Sequence, residues 1–142
     1  MWISQYWALS CLFLFGCAPY FVSVKKDLID VSCLASTYVK SPDPRQGDPP
    51  VGEKLFVKWS VPRKEKEKDL RLIVEIIYKD LSHETLSHSI LKKRSLLTHS
   101  LIGKHYREKG GYLAYKAEIQ GQKGEVLREW KHQLWVERIV VD

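Results

Sequence analysis

The chain is poor in cysteine, and it carries no charged residue before Lys25. Its three cysteines, Cys11, Cys17 and Cys33, are too few for a disulfide-stapled scaffold. Proline is scarce outside one segment: four of the six prolines fall between Pro42 and Pro50. That segment is a loop, because proline neither donates to a β-ladder nor continues a helix. No apolar run reaches the ~20 residues that a membrane-spanning helix needs. Catalytic signatures are missing as well. There is no G-x-S-x-G elbow, no Cys–His pairing, no G-x-G-x-x-G and no Walker loop. The five histidines, His83, His88, His99, His105 and His132, show neither i,i+2 strand spacing nor an H-E-x-x-H helix pattern. No metal site and no cofactor are expected from these spacings.

What the sequence does contain is period-two patterning. In residues 54–61, Leu55, Val57, Trp59 and Val61 alternate with Lys54, Lys58 and Ser60. One face of a strand is therefore buried. In residues 70–79, Leu72, Val74, Ile76 and Tyr78 form one face, while Ile73 and Ile77 make the other apolar too. A strand apolar on both sides is central or covered. Segments 84–91 and 95–102 read as further strands. Leu86, Ile90, Leu97 and Leu101 also fit a helical stripe, but the many Ser and Thr between them disfavour a helix interior. Tyr112 to Gln120 is a strand with Leu113, Tyr115, Ala117 and Ile119 facing in and Tyr112, Lys116 and Glu118 facing out. Gly121–Gly124 closes a hairpin into a long last strand, with Val126, Trp130, Leu134 and Val136 as core residues and a bulge near Lys131–Gln133. A first strand is expected between Val31 and Val39.

The expected fold is all-β: an antiparallel β-sandwich of about seven strands, since a two-sided core needs two stacked sheets. The pattern over residues 31–141 is similar to immunoglobulin-like and fibronectin-III-like domains, with Trp59 early and Tyr115 on the penultimate strand. A small β-barrel is the alternative closure.

The start of the chain carries a second resemblance. The apolar residues 7–16 have the length of a signal h-region, roughly 7–15 residues. They end in Leu14-Phe15-Gly16-Cys17, which resembles a bacterial lipoprotein signal with its lipobox. The resemblance implies cleavage before Cys17 and acylation of Cys17, so that the lipid bilayer is a partner through that residue. It implies a cell-envelope protein, with the outer membrane favoured in a Gram-negative envelope because Ala18 rather than Asp follows. An uncleaved N-terminal anchor is the rival reading. The expected domains are a signal peptide over 1–16, an acylated N-terminus and tether over 17–30, and the sandwich over 31–142. Cys33 is then left without an intramolecular partner and reads as a small buried apolar residue.

The net charge of +6 suits acidic partners such as lipid headgroups or anionic glycans. Lys92-Lys93-Arg94 and Lys104-His105-Tyr106-Arg107 are the basic clusters, and export leaves no nucleic acid for them to meet. By alternation, Phe56, Tyr106, Tyr112 and Trp135 are candidates for outer faces and hence for a protein or glycan interface. The functional expectation is a membrane-anchored, non-enzymatic binding or assembly component of the envelope. The alternatives are a small envelope hydrolase and a subunit of a secretion or surface assembly.

Overall fold

The computed structural model describes residues 19–30, 51–62 and 69–136. Seven strands and one short helix follow in chain order: β1 (Phe21–Ile29), β2 (Gly52–Ser60), β3 (Arg71–Tyr78), β4 (His83–Ser89), β5 (Arg94–Ile102), α1 (Gly103–Lys109), β6 (Tyr112–Gln120) and β7 (Val126–Lys131). They form two antiparallel sheets, one ordered β1-β2-β5 and the other β4-β3-β6-β7. The expected all-β sandwich is thus observed, and the two separate sheets exclude a closed barrel. In immunoglobulin terms the fourth strand joins the C–F–G sheet rather than the A–B–E sheet.

The alternation in β2 and β3 builds the core. Leu55, Val57, Trp59 and Val61 face Leu72, Val74, Ile76 and Tyr78 across the sandwich, and all eight are buried. Each fully buried large side chain contributes about 1.5–3 kcal/mol, so these positions outweigh the exposed ion pairs, which contribute about 1 kcal/mol or less apiece. β3 lies between β4 and β6, as its two apolar faces require. Residues 83–89 and 94–102 are strands, not a helix. They are neighbours in sequence but lie in different sheets, so the turn between them steps across the sandwich.

Four expectations need correction. First, the segment assigned to a tether contains β1, which pairs with β2 over its whole length, from Phe21↔Ser60 to Ile29↔Gly52. Val22 and Val24 enter the core, which is why this stretch folds rather than hangs free. The strand expected between Val31 and Val39 lies outside the described residues, as do Cys11, Cys17 and Cys33. Second, Tyr112 faces in, only 2% exposed. The ladder of β3 with β6 jumps from Ile77↔Ala114 to Tyr78↔Tyr112, leaving Leu113 as an extra residue. One added residue reverses the facing of everything on one side of it. Third, β7 stops at Lys131. Val126, Leu134 and Val136 are 50%, 61% and 74% exposed, so they are not core; Trp130 is half-buried and stacks on Tyr115. The edge position of β7 gives its side chains a partner on one side only. Fourth, a short helix, α1, opens at Gly103 in a chain read as strands and loops alone. Gly110 ends this helix at φ 79°, and its N–H returns to the carbonyl of Tyr106.

Candidate functional site

Strand connectivity gives the sandwich two unlike ends. At one lie the starts of β1, β3, β5 and β7. At the other lie the starts of β2, β4 and β6 together with α1. The second end concentrates the aromatic and ionisable side chains.

Its interior is organised by Glu53, an inward-facing carboxylate on β2 that is 3% exposed. Glu53 Oε2 accepts the backbone N–H of Tyr112 at 2.7 Å, and Oε1 lies 3.5 Å from Lys26 Nζ. A buried carboxylate is tolerated only with such partners. Gly111 is required beside it. Its φ is +113°, and a Cβ there would come within 2.9 Å of Glu53 Oε2. Tyr112 stacks on Tyr78 at 5.8 Å, and its hydroxyl donates to the carbonyl of His99 at 3.2 Å. This ties the start of β6 back to β5. His99 Nδ1 sits 2.7 Å from the same hydroxyl, and Nε2 lies 4.0 Å from Glu84. Glu84 in turn accepts the hydroxyl of Tyr78. Burial, followed by the hydrogen bond to Glu84, pushes the Tyr78 phenol well above its ordinary range. Burial, then the charges of Glu53 and Glu84, does the same for Tyr112. These phenols are held neutral as donors: Tyr112 bonds across to β5 of the other sheet, and Tyr78 to β4 within its own.

The outer face of the four-stranded sheet at this end carries a groove of about 320 Å³. Its floor is Glu75 and Ile77 on β3, with Lys116 on β6. Its walls are His83 and Thr85 on β4 and Trp135 beyond β7. The turn after β7 positions Trp135: His132 N–H donates to Tyr115 O at 3.0 Å, and Trp135 N–H to His132 O at 2.9 Å. Lys116 Nζ lies 2.9 Å from Glu75, 2.7 Å from Glu118 and 5.2 Å from the centre of the Trp135 ring. Burial alone would lower the Lys116 pKa, but hydrogen bonds to Glu118 and Glu75 outweigh it and raise it. Lys116 is therefore a fixed ammonium with no lone pair for nucleophilic attack. The Trp135 indole N–H is buried and meets no acceptor among the described residues. A carboxylate pair, a fixed cation, an imidazole and an indole on one open face can grip a ligand by hydrogen bonds and stacking.

Of the four aromatic candidates, only Trp135 lines this groove. Phe56 is half-buried on the outer face of the other sheet, across from Lys25 and Thr98. Tyr106 packs from α1 onto the core, and Tyr112 is inside. Sequence reasoning missed Lys116 and Glu118, read as solvated yet only 8% exposed each. Their signal was the strict alternation of Glu75, Lys116 and Glu118 beside apolar neighbours on two adjacent strands. Among the described residues, no three His, Cys, Asp or Glu side chains are placed to hold a metal ion, and no helix is long and apolar enough to cross a membrane.

No family model matches the chain. No curated protein matches it either. Among solved structures, one described as the X-ray structure of Northeast Structural Genomics Consortium target SoR45 is similar over 89% of this chain and 98% of its own, with 10% sequence identity and a TM-score of 0.34. Those values are too low to carry an argument about fold or function.

Proposed function

We propose that this protein is an envelope lipoprotein, anchored through an acylated Cys17, that acts as a non-enzymatic binding or assembly component. The observation that carries the reading is the apolar run 7–16 closing on Leu14-Phe15-Gly16-Cys17. A single acyl chain holds a protein only marginally, whereas two or three on one cysteine hold it durably. The position of β1 supports the reading: it begins four residues after Cys17, so no described core residue would be lost with the signal. The groove beside Trp135 supports the binding role. It offers an aromatic wall, the apolar Ile77 and Val136, and the Glu75 carboxylate beside the Lys116 cation. This suits a protein segment that presents hydrogen-bond donors next to an apolar side chain.

The experiment is metabolic labelling with palmitate, followed by membrane fractionation of the wild type and Cys17→Ala. The wild type incorporates label and sediments with membranes, whereas the variant does neither. Equal labelling of the two refutes the anchor.

A further inference from the structure

We infer that the sandwich rests on the membrane through its β4–β5 turn, where Leu91, Lys92, Lys93 and Arg94 contact anionic phospholipid headgroups. The inference rests on membrane attachment ahead of β1, as proposed above.

Chain geometry fixes the orientation. Four residue steps separate Cys17 from Phe21, a span of at most ~14 Å. Phe21 pairs with Ser60, and Ser60 with Arg94. Two strand spacings, about 10 Å, thus separate Phe21 from Arg94. The attachment point and the β4–β5 turn therefore lie at the same end. The groove and the Glu53 cluster lie at the other.

This turn is built rather than loose. Ile90 is 5% exposed, and its N–H donates to Leu70 O at 2.9 Å. Val61 N–H donates to Lys93 O at 2.9 Å, and the Trp59 indole N–H to Lys92 O at 3.4 Å. So held, the turn projects Leu91, which at 77% exposure is the most exposed large apolar side chain among the described residues. Three consecutive cations follow it.

Charge separates the two ends. At the far end, Lys25, Lys26, Lys104 and Lys109 lie 3.4, 3.5, 3.6 and 3.8 Å from Asp27, Glu53, Glu108 and Asp80. Lys92, Lys93 and Arg94 have no carboxylate within 4.0 Å among the described residues. The other described charges at the near end include Lys58, Arg71, Lys123, Arg128, Asp69 and Glu125, and Glu125 accepts the backbone N–H of Lys123 at 2.9 Å. The balance is positive. An exposed leucine beside three cations matches an anionic bilayer surface, where apolar insertion and headgroup attraction act together. Each basic residue at such a surface contributes about fivefold to association.

The test uses the full-length protein purified from membranes and reconstituted into phosphatidylcholine vesicles, with or without phosphatidylglycerol that carries a photoactivatable group. Adducts are mapped by mass spectrometry. The expected result is phosphatidylglycerol adducts on residues 90–94 and none on residues 79–83 at the far end. Replacing Lys92, Lys93 and Arg94 with Gln lowers these adducts about a hundredfold, and added salt lowers them too. Equal labelling of both ends overturns the inference. So do adducts indifferent to the three substitutions, including the case in which those substitutions abolish only binding to dextran sulfate, which assigns the turn to an anionic glycan. If the substituted chain fails to fold, the map of the unaltered chain decides alone. Palmitate labelling is read in parallel. A missing label with the map intact removes the acyl anchor and leaves the orientation standing.

Discussion

Glu53 and Tyr112 lie 59 positions apart in the sequence, yet the carboxylate of one accepts the backbone N–H of the other across the sandwich at 2.7 Å. This bond joins β2 of one sheet to β6 of the other. Glu53→Ala leaves that N–H and the Lys26 ammonium without their acceptor, and should destabilise the fold by about 3 kcal/mol. Glu53→Gln keeps an acceptor and loses the charge, for about 1 kcal/mol. Urea unfolding of both variants checks the order; equal losses would show that charge, not hydrogen bonding, dominates.

Stability should fall in alkali. The Tyr78 and Tyr112 phenols are raised by burial first and then by nearby carboxylates, and Tyr115 by burial and then Glu53. A phenol whose folded pKa is raised holds its proton longer when folded. The unfolded chain ionises first, so stability is intact below pH ~10 and declines above it. Lys116, also raised, adds to the loss in the same direction, from its ordinary value of 10.5 upward. Absorbance titration of the tyrosines should show a late class of three that titrates only as the fold opens. A single class near pH 10 in the folded protein is the contrary outcome.

Leu81 sits at φ 67° in the β3–β4 turn, where its side chain is 69% exposed. A left-handed backbone costs a β-carbon residue about 1 kcal/mol, and exposure returns nothing for it. Asn adopts this conformation more readily. Leu81→Asn should raise the melting temperature by about 2–5 °C. An unchanged or lower midpoint would show that Leu81 is held there for another reason.

Trp135→Ala should weaken capture of a protein partner in intact-cell crosslinking by about tenfold, the effect of removing an aromatic anchor. Phe56→Ala, on the opposite sheet, should leave capture unchanged. The reverse pattern would move the interface to the three-stranded sheet.

The legible part of this fold was the part governed by strict alternation. Leu55 to Val61 and Leu72 to Tyr78 announce both inner faces, and the second apolar side of β3 announces its central place. Alternation fails wherever the ladder breaks. The extra residue Leu113 turns Tyr112 inward, and the period itself carries no mark of it. Alternation also reads charge as exposure. Glu53 and Lys116 are buried because partners from other strands satisfy them, pairings set by the assembled sheets, whereas Glu118 is held by Lys116 and Gln120 of its own strand. β1 was missed because Lys25, Lys26 and Asp27 mask a strand with only two core residues. The groove stayed hidden for a related reason: Trp135 reaches it through a turn rather than along a strand.

The pairing of β1 with β2 has a mechanical side. β1 runs its full length against β2, from Phe21↔Ser60 to Ile29↔Gly52. β7 runs toward the opposite pole of the sandwich and ends beside Lys116 of β6. A pull on the chain ahead of Phe21, resisted at that far pole, acts along β1 rather than across it. It loads the whole ladder in shear, where the bonds must yield together, and does not peel them open one by one.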